Sequence, residues 1–252
     1  MAEPLLSTIG LTRQFGGLVA VDQVELALRT GAVHAVIGPN GAGKSTLANL
    51  LSGELKPSAG TIHLRGEDVS GWPANRIARH GLARTFQHTN IFAAFTAFEN
   101  CRLAAQAHAA GFPSFFRAAD RNPGWNAAAS DALAATGLAE RADVAASDLS
   151  HGERRALDIA MALATKPVVL LLDEPLAGMG PEEASNIVSL LRRLATDHAI
   201  LLIEHDMDAV FALAQHLTVM ANGRVLASGT PEAIRANAEV QEVYLGAVTE
   251  AT

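Results

Sequence analysis

The sequence predicts an α/β protein whose core of alternating strands and helices carries an antiparallel β edge and one inserted block of helices. Three observations support this prediction. Short apolar runs alternate with helical patterns, the middle of the chain is rich in alanine, and Asn222-Gly223 separates two strand-like runs near the C-terminus. Continuous apolar runs are typical of strands buried on both faces of a parallel sheet, whereas an Asn-Gly pair is typical of a hairpin.

Composition excludes several classes of protein. The chain has 252 residues, 49% of them hydrophobic, which suffices for one domain or a domain with a subdomain. Its formal net charge is −7 and it has no basic block, so nucleic acid is a poor candidate partner. The single cysteine, Cys101, excludes an internal disulfide and suits a reducing compartment. With no signal-peptide pattern and no apolar run of the roughly eighteen residues that a membrane helix needs, we expect a soluble intracellular protein.

One stretch places a glycine-rich turn between a predicted strand, residues 33–37, and a helix with Leu47, Leu50 and Leu51 on one face. The turn fits G-x-x-x-x-G-K-[ST], and its residues are Gly38, Pro39, Asn40, Gly41, Ala42, Gly43, Lys44 and Ser45, followed by Thr46. Inward-facing amides and the helix N-terminus can bind phosphate there, with Lys44 reaching the β- and γ-phosphates and Ser45 ligating Mg²⁺. The alternative is a chance glycine turn before a helix.

The N-terminal region predicts two short strands, at residues 5–11 and 24–28, with a turn at residues 13–17 between them. That turn carries Phe15, which either covers the core or stacks on an adenine ring. A further strand is predicted at residues 61–64.

The middle of the chain, from residue 87 to about 165, predicts helices. Thr96 and Glu99 have the spacing of a capping box that begins one of them. Residues 111–125 interrupt the pattern with two prolines, two glycines and four aromatic residues. This insertion is either a surface for a partner or a locally packed loop.

A second capping box, formed by Ser150 and Glu153, begins the last helix of this block. The same helix start can bind an anion, because Gly152 leaves the backbone amides open. Spacing alone does not separate the two interpretations.

Two later apolar runs predict core strands that end in polar residues. Residues 168–172 lead into Asp173 and Glu174, at the edge where open α/β sheets bind their ligands. Unpaired adjacent carboxylates are costly there, so we expect a metal ion or a reacting water beside them. Residues 200–203 lead into Glu-His-Asp at residues 204–206. Successive side chains on a strand point to opposite faces of the sheet, which argues against a dedicated metal site there.

The C-terminal third predicts a helix, a hairpin and a short closing helix. Pro181 and the acidic residues after it begin an amphipathic helix with an apolar stripe of Ile187, Leu190, Leu191 and Leu194. Residues 217–221 and 224–228 form the predicted hairpin, and Thr230 begins the closing helix.

These motifs, in this order and over nearly the whole chain, resemble those of the ATP-binding subunits of ABC transporters. The resemblance implies a P-loop NTPase core of the RecA-like type with an inserted α-helical subdomain. It assigns Walker A to residues 38–45, the Q-loop to Gln87, the signature to residues 149–153 and Walker B to residues 168–173. It also makes Glu174 the catalytic glutamate, His205 the switch histidine and Phe15 the aromatic residue that stacks on adenine. It also divides the single domain, residues 1–252, into a core (1–86 and 166–229), a helical subdomain (87–165) and C-terminal helices (230–252).

The resemblance implies ATP and Mg²⁺ as cofactors. It places the metal on Ser45, Gln87 and Asp173. It makes Glu174 the residue that polarises the attacking water, and the catalytic set becomes Lys44, Gln87, Glu174 and His205.

In this family two subunits close head to tail over two ATP molecules, so Ser150 and Gly152 are implied to complete the site of the opposite subunit. That subunit is an identical copy or a related sister ATPase. Transmembrane permease subunits are the implied direct partners, and an extracytoplasmic solute-binding protein is an indirect one. We therefore expect a cytoplasmic protein held on the inner face of the cell membrane.

Within the family, the chain most resembles importer ATPases for branched-chain or other hydrophobic amino acids. Residues 83–88, 202–207 and 243–246 and the insertion at residues 111–125 carry that similarity. The lipopolysaccharide-export ATPase is a close alternative. A soluble ATP-dependent switch protein and a subunit that binds nucleotide without hydrolysing it are two others.

Two departures from the family pattern bear on coupling between subunits. The usual signature Leu-Ser-Gly-Gly-Gln is Leu-Ser-His-Gly-Glu here, which keeps Ser150 and Gly152. The D-loop usually ends in Leu-Asp, whereas this chain has Met179 and Gly180. The chain thus lacks a carboxylate that the family pattern implies for communication across the dimer.

Overall fold

A computed structural model describes residues 3–87, 89–109 and 122–242. Among these residues, strands form an antiparallel sheet of four and a largely parallel sheet of six. In spatial order, the first sheet contains β2 (Leu18–Leu28), β1 (Leu6–Phe15), β4 (Ala59–Leu64) and β5 (Glu67–Asp68). The second contains β10 (Arg224–Gly229), β9 (His216–Ala221), β3 (Val33–Ile37), β8 (Ala199–Ile203), β7 (Val169–Asp173) and β6 (Leu82–Thr85).

The described helices connect these strands or lie between β6 and β7. They are α1 (Lys44–Leu51), α2 (Ala74–His80), α3 (Ala97–Ala109), α4 (Pro123–Thr136), α5 (His151–Ala164), α6 (Pro181–Leu194), α7 (Met207–Leu213) and α8 (Pro231–Arg235). Helices α3, α4 and α5 pack on one another and form the predicted helical block. The predicted α/β class is confirmed, with β1, β2, β4 and β5 forming a separate antiparallel sheet and with β10 antiparallel at the edge of the six-stranded sheet.

The central strands are mainly apolar because both faces of their sheet are covered, and their polar residues are His34 in β3 and Asp173 at the end of β7. Every residue of β3, β7 and β8 is buried. In β7, Leu170 and Leu172 pack in the cluster that includes the helical block, whereas Val169 and Leu171 pack in the cluster that includes α1 and the antiparallel sheet. This layering places the carboxyl ends of β3, β8 and β7 side by side.

Several local predictions are confirmed by hydrogen bonds or backbone angles. Thr96 N–H donates to Glu99 Oε2 at 2.9 Å, and Glu99 N–H donates to Thr96 Oγ1 at 3.1 Å. Asn222 and Gly223 both have positive φ, 50° and 80°, as a type I′ hairpin turn requires. The predicted apolar stripe of α6 is also its buried set.

Three predicted boundaries were wrong. The turn placed at residues 13–17 contains only Gly16 and Gly17, because β1 continues to Phe15 in a ladder that pairs Arg13 with Val21. For the same reason β2 begins at Leu18, although the sequence predicted that strand only at residues 24–28. The predicted insertion ends earlier than residue 125, since Asn122 caps α4 and Trp125 is buried in that helix. The rest of the insertion, and residues 243–246, lie outside the described residues.

Within the three described ranges, no helix combines the length and the apolar character needed to cross a bilayer.

Candidate functional site

The glycine-rich turn after β3 is held in place by backbone from β9 and β2. Gly38 has φ +155°, and a Cβ there would collide with the carbonyl oxygen of Met220. Gly43 has φ +102°, and a Cβ there would collide with the carbonyl oxygen of Ala20. Backbone atoms cannot turn aside, so these two positions require glycine.

Beside this turn lies an open cleft of about 490 Å³. Most of the predicted nucleotide-binding residues line it, namely Phe15, Asn40, Gly41, Ala42, Gly43, Lys44, Ser45 and Thr46, together with Glu174. Sequence reasoning did not single out Leu18, Val19 and Asn222, which also line the cleft. Phe15 is 42% exposed and Leu18 is 66% exposed, so the cleft has an apolar wall that faces solvent.

Gly38 and Pro39 do not line the cleft, but their carbonyls hold Lys44. The Lys44 ammonium donates to Gly38 O at 2.6 Å and to Pro39 O at 3.0 Å. Burial lowers the pKa of Lys44, while the carboxylates of Glu174 and Asp173 oppose that shift. The positive charge of this lysine therefore faces both acidic residues at the end of β7.

Glu174 is the point where three predicted site residues meet. Its carboxylate accepts a hydrogen bond from Gln87 Nε2 at 2.9 Å and lies 3.6 Å from His205 Nδ1. Glu174 also has φ +47°, a conformation that is strained for a non-glycine residue. Such strain is concentrated at functional sites. Since Glu174 lines the cleft, this cluster lies at the edge of the predicted phosphate site.

Asp173 is paired with an arginine, a partner that the sequence analysis did not anticipate. Arg84 Nη2 donates to Asp173 Oδ2 at 3.0 Å, and Arg84 Nη1 donates to Asn49 and Ser52 at 2.7 and 2.9 Å. The arginine lies on β6, the strand next to β7, and is separated from the aspartate by 89 residues. Because of that separation, no local pattern in the sequence indicates the pair.

Arg155, on α5, joins the helical block to the segments that carry Gln87 and Glu174. Its guanidinium donates to the carbonyls of Phe86, Gln87 and Glu174 at 2.8, 3.1 and 2.9 Å. It is also 3.4 Å from Asp158 Oδ2, and burial raises the pKa of that carboxyl to about 6 although the arginine opposes the shift. Sequence reasoning missed this residue.

A helix pattern could have revealed this pair. Arg155 and Asp158 recur at helical spacing with Ile159 and Ala162, and all four are buried. Charged residues on the apolar face of a helix indicate a specific buried partner.

Glu204 was also missed as a structural link. It is 1% exposed, and its carboxylate accepts hydrogen bonds from the backbone amides of Leu176 and His205, each at 3.0 Å. Burial raises the pKa of Glu204, and these amides oppose the shift. The residue thereby ties the segment after Glu174 to the loop that carries His205.

Ser150 and Gly152 do not line the cleft beside the glycine-rich turn. They line a separate cavity of about 330 Å³ between α5 and α6. Ser150 caps α5 in the predicted capping box, with its Oγ accepting from Glu153 N at 3.2 Å. The Gly152 amide donates to Glu183 Oε1 at 3.0 Å.

Comparison with known families agrees with this arrangement. The family model described as ABC transporter matches residues 21–177, more than half of the chain. The chain belongs to the ABC transporter family. A second model, described as branched-chain amino acid ATP-binding cassette transporter, matches residues 224–249 of this cassette.

Relatives match the cassette from end to end. It is 44% identical to the high-affinity branched-chain amino acid transport ATP-binding protein LivG of Escherichia coli, over 98% of the cassette and 99% of that protein. It is 40% identical, with the same coverage, to the protein of that description named BraF in Pseudomonas aeruginosa.

Solved structures show the same fold. A cassette of an ABC transporter in its ADP conformation superposes with a TM-score of 0.88 at 29% identity, covering 97% of this chain and 100% of that one. A nucleotide-free cassette gives 0.85 at 28% identity, covering 96% and 98%. The cassette is thus a P-loop ATPase that binds ATP and serves an ABC transporter.

Proposed function

We propose that this cassette hydrolyses ATP to power the import of branched-chain or other hydrophobic amino acids across a membrane. The observation that supports the cargo is the match of residues 224–249 to the branched-chain family, together with the descriptions of LivG and BraF. These favour amino-acid import over lipopolysaccharide export and over a soluble switch protein.

The geometry around Glu174 supports the hydrolytic role. Its carboxylate lies on the cleft, where it can polarise a water that attacks the γ-phosphate. Gln87 donates a hydrogen bond to one carboxylate oxygen, and His205 Nδ1 lies 3.6 Å from the other. Lys44 and the amides of the glycine-rich turn would neutralise the β- and γ-phosphates. Catalysis of phosphoryl transfer is mostly positioning and charge stabilisation, which is what these groups supply.

Residues at or after the carboxyl ends of β3, β6 and β7 suit Mg²⁺. Ser45, Asp173 and Gln87 offer hydroxyl, carboxylate and amide oxygens, the hard donors that Mg²⁺ prefers. Arg84 engages one oxygen of Asp173 and so fixes the orientation of the carboxylate. When bound, the ion would neutralise charge on the phosphates.

We further propose that the active site is completed by a second cassette. Ser150 and Gly152 line a cavity of their own, which is consistent with a role toward a nucleotide held by another copy or by a sister ATPase. ATP-dependent dimerisation of a Glu174→Gln variant tests this proposal.

Residues 87–165 are proposed to act as the helical subdomain that faces the permease. Phe92 and Phe95 are exposed and stack with their ring centroids 5.4 Å apart, close in sequence to Gln87. An exposed aromatic pair is typical of a protein-binding surface. Arg155 would transmit movement between this surface and Glu174.

Purification of the native membrane complex through a tag on this cassette, followed by mass spectrometry, tests the assignment. We expect permease subunits, a second ATPase and an extracytoplasmic solute-binding protein that binds leucine, isoleucine or valine. Recovery of lipopolysaccharide-handling proteins would move the function to export. Reproducible recovery of no membrane protein would contradict the transporter role, and an unrelated tagged ATPase from the same cells serves as the control.

A further inference from the structure

The first turn of α5, which carries the signature residues, is in contact with a carboxylate from its own chain. The Gly152 amide donates to Glu183 Oε1 at 3.0 Å. The fit is tight, since a Cβ on Gly152 would lie 3.1 Å from that oxygen. Glu183 stands in the first turn of α6, directly after the D-loop segment at residues 176–180.

Two other amides of this helix start, those of Ser150 and Glu153, are also engaged. Ser150 N–H donates to Glu153 Oε2 at 2.8 Å, and Glu153 N–H donates to Ser150 Oγ at 3.2 Å. Two carboxylates therefore lie at the positive end of the helix dipole of α5. A phosphate that approached this end would meet negative charge and an amide that is already bonded.

A second contact joins the same two segments. His151 Nε2 lies 3.4 Å from the carbonyl oxygen of Ala177 in the D-loop segment. His151 is one of the two residues, with Glu153, by which this signature departs from the family pattern, and Gly180 is where the D-loop lacks its usual acid. Glu183, three residues after Gly180, supplies a carboxylate that contacts the signature at Gly152.

We propose that Glu183 is a positioning residue of the ATPase reaction: it holds the Gly152 amide until nucleotide displaces it, and it thereby sets the ATP concentration at which two cassettes close. This inference rests on the proposed site shared between two cassettes. The γ-phosphate bound to the opposite cassette competes with the Glu183 carboxylate for the same amide. Closure therefore requires the side chain of Glu183 to turn away from α5.

The test compares Glu183→Ala with Glu182→Ala, each in the Glu174→Gln background that blocks hydrolysis. Glu182 is exposed in the same helical turn, so its loss changes net charge and helix propensity equally without touching Gly152. Analytical ultracentrifugation with increasing ATP and Mg²⁺ gives the half-maximal ATP concentration for dimer formation. We expect Glu183→Ala to lower it about tenfold, the size of one charge-assisted hydrogen bond, and Glu182→Ala to change it less than about twofold.

Hydrogen exchange of the nucleotide-free proteins gives a readout that does not need the dimer. The Gly152 amide should exchange faster in Glu183→Ala than in Glu182→Ala, because only the former loses its acceptor. Equal exchange, equal ATP dependence, or a higher ATP requirement in Glu183→Ala would each overturn the inference. If the Glu174→Gln protein without a second substitution fails to dimerise, the proposed shared site is wrong. This result is distinguishable from a failure of the Glu183 inference, because it is seen without Glu183→Ala or Glu182→Ala.

Discussion

Arg155 offers the sharpest test of how α5 is joined to the segments that carry Gln87 and Glu174. We predict that Arg155→Met lowers the free energy of unfolding by about 3–5 kcal/mol, the usual cost of removing one partner of a buried ion pair. Its side chain is 3% exposed and donates to three backbone carbonyls, on Phe86, Gln87 and Glu174. Methionine fills similar space but donates to none of these carbonyls and leaves Asp158 without its counter-ion.

Asp158→Asn is the matched control, and it should not destabilise the protein at neutral pH. Burial raises the pKa of Asp158 from 3.8 to about 6, so the folded protein favours the neutral carboxyl. Ionisation of this carboxyl therefore lowers the free energy of unfolding as pH rises from about 4 to 6. That shift corresponds to roughly 3 kcal/mol at neutral pH. A neutral amide avoids this cost and can still accept from the arginine, so we expect the stability at neutral pH to be unchanged or to rise by up to about 3 kcal/mol.

Urea unfolding and phosphate release would be measured on both variants and on Arg155→Met/Asp158→Leu. Replacing both partners by apolar residues removes the unpaired charge, so we expect the double variant to regain at least half of the lost stability. Hydrolysis should stay impaired, because the carbonyls of Gln87 and Glu174 have still lost their anchor. An Arg155→Met protein within about 1 kcal/mol of wild type, or a double variant with normal hydrolysis, would refute this account.

Four further predictions concern the cleft and the sheet. Lys44→Ala should weaken ATP binding at least tenfold in calorimetry, because a charge-assisted phosphate contact is lost, and unchanged affinity would contradict the phosphate-binding role. Glu174→Gln should bind ATP normally but accumulate a closed dimer, so light scattering that shows only monomer with ATP and Mg²⁺ would argue against the shared site. Phe15→Ala should reduce affinity for ATP by about 0.5–1.5 kcal/mol but leave inorganic triphosphate binding unchanged, and an equal loss for both would make Phe15 structural. Burial and the neighbouring His216 lower the pKa of His34 from 6.5 to about 3, so its contribution to stability is present above pH 6.5 and is lost as pH falls. Between pH 6.5 and 5 the loss should be about 2 kcal/mol, and a His34→Gln protein with the same pH slope would refute this assignment.

The fold was predictable wherever sequence pattern and burial coincide. Strands β3, β7 and β8 are mainly apolar because helices and the antiparallel sheet cover both faces of their sheet. Helix starts were predictable because a cap needs only groups three residues apart. The end of β1 was not, since Phe15 is extended only through pairing with β2, and that ladder is a tertiary contact.

The candidate site divides in the same way. Residues 38–46 form a local motif whose spacing follows from phosphate geometry. The groups that orient the acidic residues come from distant parts of the chain: Arg84 lies 89 residues from Asp173, and Arg155 lies 68 residues from Gln87. Such pairs depend on which strand lies next to which, and no local spacing encodes that. Glu183 was missed for the same reason, although its neighbours predicted the helix that carries it.

The coupling proposed for this cassette follows from the polar groups of a single residue. The side chain of Glu174 is bonded to Gln87 and faces His205, its N–H donates to Ile203 at 2.8 Å, and its carbonyl accepts from Arg155 at 2.9 Å. Its positive φ leaves little freedom to satisfy these partners in another conformation. A change at the γ-phosphate that alters the Glu174 carboxylate must therefore be accommodated by the Q-loop residue or by α5. Because α5 also carries Gly152, we expect the loss of phosphate at one site to shift the residues that the proposed dimer presents to the other site.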